Sequence, residues 1–116
     1  MRIIAFEKPV DRTLLSDIKI HAMKIEKRFS IRIEGTLKRT VNIDPGLLSL
    51  ENFILSTGKN YTHRIYIGKC IWADLTLIYS QGAFADLPWT YPNYRKQELK
   101  SEFLLIRKKY SQQIKK

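Results

Sequence analysis

Apolar residues recur at three- and four-residue steps in some stretches of the chain and at alternate positions in others, the two periods that separate an amphipathic helix from a half-buried strand. Within residues 12–29, Leu14, Ile18, Ala22, Ile25 and Phe29 form one stripe, predicting a helix capped by Asp11 with Lys19, Lys24, Lys27 and Arg28 on its outer face. Within residues 96–114, Leu99, Phe103, Ile106 and Tyr110 form a second stripe, with Lys100, Arg107 and Lys108 outward. Ser49, followed by Phe53, Ile54 and Leu55 and stopped by Gly58, predicts a short third helix over 49–57.

The alternating stretches predict strands. Residues 2–7 read as one, closed by Pro9. Residues 30–34 and 39–43 read as a hairpin about Gly35, and Asp44-Pro45-Gly46 reads as a turn after it. The clearest pair is 62–67 with 70–79, joined at Gly68-Lys69, where glycine in the first turn position suits a two-residue type II′ loop. A turn at Ser80-Gln81-Gly82 leads to a short strand over 83–86, and Pro88 and Pro92 keep 87–94 extended. With no internal repeat or linker, residues 1–116 read as a single α+β domain, a mostly antiparallel sheet of five to six strands with about three helices packed on it.

Composition narrows the function classes. A hydrophobic share of 44% and a charged share of 28% are ordinary globular values. The one cysteine, Cys70, cannot close an internal disulfide, which fits a reducing, cytoplasmic setting and removes a thiolate-rich zinc site. No apolar run approaches the roughly 18 residues of a membrane span, so no membrane partner is expected. Net charge is +10, and residues 95–116 hold eight Lys/Arg against two Glu, so over half of the excess sits in the last segment. That segment reads either as a footprint for nucleic acid or as cations placed to suit a helix C-terminus.

The chemistry concentrates between His63 and Arg95. An ionisable pair, His63-Arg64, inside an apolar strand demands a partner, because an unpaired buried charge is costly. Asp74 on the following strand is the candidate partner. A two-residue loop at Gly68-Lys69 puts His63 opposite Asp74, close enough for the carboxylate to orient the imidazole. A three-residue loop puts Arg64 there instead. Glycine in the type II′ position favours the first register.

Three functions fit. The leading one is a binding module for an anionic ligand, a nucleotide or RNA, using Lys59, His63, Arg64 and Tyr66 with the aromatic segment Trp89, Tyr91, Tyr94 and Arg95, whose rings could stack bases. The alternative is a metal-independent phosphoester-type hydrolase with His63 as acid/base oriented by Asp74. The third is a non-catalytic partner domain, either a homo-oligomer or a chain completed by another segment. A salt bridge locking the sheet, and aromatics packed over its edge, account for the same residues without a ligand. No metal ligand set and no cofactor are expected.

The ordered motifs Asn42-Ile43-Asp44-Pro45-Gly46, Ile54-Leu55-Ser56-Thr57 with Lys59, His63-Arg64-Ile65-Tyr66-Ile67-Gly68, Ile71-Trp72-Ala73-Asp74-Leu75-Thr76-Leu77 and Trp89-Thr90-Tyr91-Pro92-Asn93-Tyr94-Arg95 together resemble the prokaryotic domain of unknown function 4416 family. The resemblance covers nearly the whole chain, with residues 2–29 matching more loosely. It implies no established activity. Some members carry a GTP-binding label, yet this chain has no Gly-rich loop ending in Gly-Lys-Ser/Thr and no Asn-Lys-x-Asp. The resemblance also implies that the chain corresponds to the middle and C-terminal part of longer members, with a strand-helix-strand portion to be supplied from elsewhere. Gly58-Lys59-Asn60, Gly68-Lys69-Cys70 and Asn93 stand where the family pattern carries carboxylates. Those departures weigh against a metal-dependent mechanism and toward anion binding. The second glycine usual in the hairpin turn would suit a bulged loop and so weakens the preference for the first register.

Overall fold

The computed structural model describes residues 2–115. A single 3-10 turn, Arg12–Leu14, leads into α1 (Leu15–Arg28), followed by β1 (Ile31–Ile33), β2 (Thr36–Lys38), β3 (Gly46–Leu48), β4 (Asn52–Thr57), β5 (Arg64–Gly68), β6 (Ile71–Ser80) and β7 (Ala83–Asp86). A 3-10 turn, Pro92–Tyr94, then precedes α2 (Gln97–Ile114). The two sheets are antiparallel. β1 and β2 form a separate hairpin, and the main sheet runs β3-β4-β6-β5, with β7 continuing the β5 edge of β6. The fold class is therefore α+β with a mostly antiparallel sheet, as the alternation predicts.

The 49–57 helix does not form; the segment is β4. Ser49 Oγ accepts from the Asn52 amide at 3.2 Å, the same side-chain to backbone bond that would open a helix. Here it closes a tight turn, with the Ser49 amide donating to the Asn52 carbonyl at 2.9 Å. Residues 44–46 likewise enter β3 rather than turn. A side chain at Gly46 would meet the Ile54 carbonyl at 2.7 Å, so glycine lets β3 approach β4 there. Residues 2–7 form no strand: Ile3 packs partly against the core, Phe6 is 88% exposed, and Gln113 of α2 donates to the Glu7 carbonyl at 2.9 Å.

On α1 the buried face is shifted by one residue. Leu15, Ser16, Lys19, Ala22 and Glu26 are inside, while Leu14 and Phe29 are exposed. Two charged side chains predicted outward, or not placed, hold a neighbouring loop there: Glu26 accepts from the Ile43 amide at 2.7 Å and pairs with Arg39, and Lys19 donates to the Ile43 carbonyl at 3.4 Å. Satisfied charges thus replace part of the apolar stripe, and residues 39–43 form a loop rather than a strand.

A bulge in β6 sets which side chains share a face. Phe53 pairs with Leu77 and Leu55 with Asp74, so Thr76 is the extra residue, and Asp74 joins Leu77 on the side of Phe53 and Leu55. That side carries the main core, Phe53, Leu55, Leu77, Phe84, Tyr94, Leu99 and Phe103, under α2. α1 contacts β4 and β6 through residues outside that cluster. Lys100 and Arg107, predicted outward on α2, are also engaged: Lys100 pairs with Asp86 at 2.7 Å, and Arg107 lies 3.5 Å over the Tyr79 ring while donating to the Leu50 carbonyl at 2.9 Å.

Tyr94 packs against Phe53, with ring centroids 5.8 Å apart. Burial, with the Asp44 carboxylate adding to it, pushes its phenol up from 10.0 to about 12. A group that ionises later in the fold than in the unfolded chain contributes stability present below its ordinary pKa and lost as pH rises through the raised one. Unfolding midpoints in urea are therefore expected to fall between about pH 10 and pH 12, and Tyr94→Phe removes that part of the fall.

Candidate functional site

The β5–β6 hairpin turns one residue later than glycine placement suggests. Lys69 (φ 55°) and Cys70 (φ 61°) are the two central residues, both left-handed as a type I′ turn requires, and Gly68 (φ 99°) closes the pair with Ile71. Ile67 is left over as a bulge between the Tyr66↔Trp72 and Gly68↔Ile71 pairs. The register is consequently Arg64 opposite Asp74, not His63 opposite Asp74. The outcome for chemistry is less exclusive than either register implies, because Asp74 serves both residues.

Asp74 Oδ2 accepts from Arg64 Nε at 3.0 Å and meets His63 Nε2 at 3.0 Å, while Oδ1 accepts from Thr76 Oγ1 at 3.3 Å. The three ionisable side chains are nearly closed from solvent, at 7% exposed for Asp74, 10% for His63 and 11% for Arg64. Arg64 commits each of its three nitrogens within the chain: its remaining two donate to the Lys59 carbonyl at 3.0 Å and the Tyr91 hydroxyl at 3.2 Å. No buried side-chain polar atom lacks a partner among the described residues, so the Nδ1 of His63, which makes no hydrogen bond with them, is not fully buried.

Aromatic rings frame this cluster. Trp89 stacks on His63 with centroids 4.6 Å apart and planes inclined 17°, and Tyr61 meets the imidazole edge-on at 5.8 Å. Arg64 lies 5.9 Å over the Tyr61 ring. Tyr61, Trp89 and Tyr91 all keep part of their surface in solvent, and Lys59 is exposed beside them.

The position of Trp89 follows from a break in the sheet. Pairing of β6 with β5 ends at Asp74 and pairing with β7 begins at Leu77, which leaves the carbonyls of Leu75 and Thr76 in the gap. Trp89 Nε1 donates to Leu75 at 2.6 Å and Thr90 Oγ1 donates to Thr76 at 2.6 Å. Thr90 Oγ1 also accepts from the Leu87 amide at 2.8 Å. Arg95 then clamps the loop, donating to the carbonyls of Thr90 at 2.7 Å and Leu87 at 2.8 Å. Buried backbone acceptors need partners, and this loop supplies them while aiming the indole at His63.

Of the residues predicted for a site, His63, Arg64, Asp74, Trp89 and Tyr91 come together, with Lys59 at the margin. Tyr94 does not: it is a core residue. Arg95 is a loop clamp with its guanidinium turned to carbonyls and to Asp86, 3.6 Å away. Tyr66 lies further along β5 against Trp72, ring centroids 5.2 Å apart, and its hydroxyl accepts from the Cys70 amide at 3.2 Å. Sequence reading missed Tyr61, Thr76 and Thr90. Thr76, two residues beyond Asp74, carries the period-two signal of a strand in the sequence, whereas Tyr61 lies in the turn before β5 and Thr90 acts only through the gap in the sheet.

Among the described residues no group of three or more His, Cys, Asp or Glu stands where it could hold a metal ion, and no helix is long and apolar enough to cross a membrane. A family model described as domain of unknown function (DUF4416) matches residues 1–110. No curated protein and no solved structure matches the chain.

Proposed function

The chain belongs to the DUF4416 family, whose description assigns no activity, and we propose that the face built by Lys59, Tyr61, His63, Trp89 and Tyr91 binds single-stranded RNA or a nucleotide by base stacking beside a cation. The observation that carries this reading is the partly exposed Trp89 ring stacked on His63, with Tyr61 edge-on to the same imidazole and Tyr91 bonded to the neighbouring Arg64. Base–aromatic stacking tolerates any sequence and contributes about 1–3 kcal/mol per base. The +10 net charge supplies the long-range attraction for a polyanion.

The cluster beneath the rings supports binding over phosphoryl chemistry. Arg64 has every nitrogen engaged within the chain, and Asp74 already receives three donors. Neither group is spare, so the ion cluster acts as the footing of the aromatic face rather than as its reactive part. The hydrolase reading retains one favourable feature, an imidazole that is oriented by a carboxylate and whose Nδ1 makes no hydrogen bond among the described residues.

Titrating the intrinsic fluorescence of Trp89, in a Trp72→Phe background, with nucleotides and short single-stranded RNAs tests the proposal. Saturable quenching that weakens as salt rises is expected. No response from any of these ligands at low salt overturns it.

A further inference from the structure

β5 is an outer strand, paired only with β6 among the described residues. Natural edge strands are protected by charge, proline, a covering element or strong irregularity. β5 has little of this: its bulge lies at the Ile67–Gly68 end, while Ile65 is 70% exposed and Tyr66 57% exposed. The Arg64 amide donates to the Tyr61 carbonyl at 3.0 Å rather than across to β6. Backbone groups alternate in direction along an antiparallel strand, so those of Tyr66, two residues on, face the open side.

We propose that this edge is the interface between two copies of the chain, joined antiparallel about a two-fold axis at Tyr66. The sequence of the edge is self-complementary about that point. Tyr66 meets the partner's Tyr66 and Ile65 faces the partner's Ile67, so apolar groups oppose apolar groups and no like charges are opposed; the Arg64 amide, held by Tyr61, and the bulge at Ile67 end the pairing on either side.

Charge singles out the same edge. A chain of net charge +10 repels its own copy over most surfaces, yet the two cations of this hairpin are locally neutralised, Arg64 by Asp74 and Lys69 by Asp17. The joined sheet would place the two His63 positions about six residues apart along the strand direction, roughly 20 Å at about 3.4 Å per residue. Both aromatic faces would then lie on one side of a continuous sheet. The interface does not depend on the nucleic-acid reading, since it uses the strand edge and not the exposed rings of Tyr61, Trp89 and Tyr91.

Sedimentation of the full 116-residue chain over a wide concentration range tests this, alongside Ile65→Lys and, separately, Tyr66→Cys in a Cys70→Ser background. The expected result is a reversible dimer whose dissociation constant rises at least tenfold in Ile65→Lys, with circular dichroism unchanged because the side chain is exposed. Tyr66→Cys is expected to oxidise to a covalent dimer, because residues on the axis lie within disulfide reach. A monomer at every concentration overturns the proposal. So does a dimer indifferent to Ile65→Lys that gives no cross-link at position 66.

Discussion

Asp74→Ala lowers the stability of the chain by about 3–5 kcal/mol, the usual loss when one partner of a buried ion pair is removed and the other charge stays inside. The expected size follows from exposure: Arg64 is 11% exposed, and losing the carboxylate takes away its only charge partner among the described residues while its backbone and tyrosine contacts hold it in place. His63 and Thr76 lose an acceptor in the same step. With a denaturant slope of about 1–3 kcal/mol per molar urea, the midpoint falls by roughly 1–5 M. Asp74→Asn keeps an acceptor oxygen and loses less. A midpoint shift under about 0.3 M for Asp74→Ala would mean that the cluster is solvated and anchors nothing.

Phe103→Ala costs a comparable amount, about 3–5 kcal/mol, by transfer and cavity terms together. Phe103 is 2% exposed and touches both halves of the main core, with ring centroids 4.5 Å from Phe53 and 6.0 Å from Phe84. Phe53 in turn packs on Tyr94, which ends the loop that carries Trp89. Urea unfolding followed by circular dichroism gives the loss, and the Trp89 emission of the folded variant reports whether the loop loosens with the helix. A loss under 1 kcal/mol would show that α2 is only lightly docked on the sheet.

Elements whose period is reinforced by local chemistry were legible in the sequence. α1, α2, the β5–β6 pair and β7 all form near their predicted places, and Leu99 and Phe103 point inward as their spacing requires. The failures have specific causes. Phe53, Ile54 and Leu55 satisfy both a short helix and a strand, and pairing with both β3 and β6 decided for the strand. On α1, a buried Glu26 and Lys19 displaced the apolar stripe, since charges with internal partners can occupy inward positions that a hydropathy pattern assigns to aliphatics.

The site was legible in its members more than in its geometry. His63, Arg64 and Asp74 announce themselves as ionisable residues in apolar strands, and Trp89 and Tyr91 as aromatics between prolines. Two bulges are responsible for what could not be read. The one at Ile67 set the register, and the one at Thr76 opened the gap that Trp89 and Thr90 fill. Neither position carries a residue type that marks a bulge, so the sequence pattern does not separate Tyr94, which completes the core, and Arg95, which clamps the loop, from the rings of the site.

The fluorescence titration of Trp89 with a short single-stranded RNA, repeated for Lys59→Ala and Tyr91→Ala, bears most directly on the proposed binding face. Both side chains are exposed, so the fold is expected to tolerate their loss. Salt-sensitive quenching is expected in the Trp72→Phe background, with a shallower salt dependence for Lys59→Ala and affinity about fivefold to a hundredfold weaker for Tyr91→Ala. Quenching that is absent, or that survives both substitutions unchanged, would contradict the proposed binding.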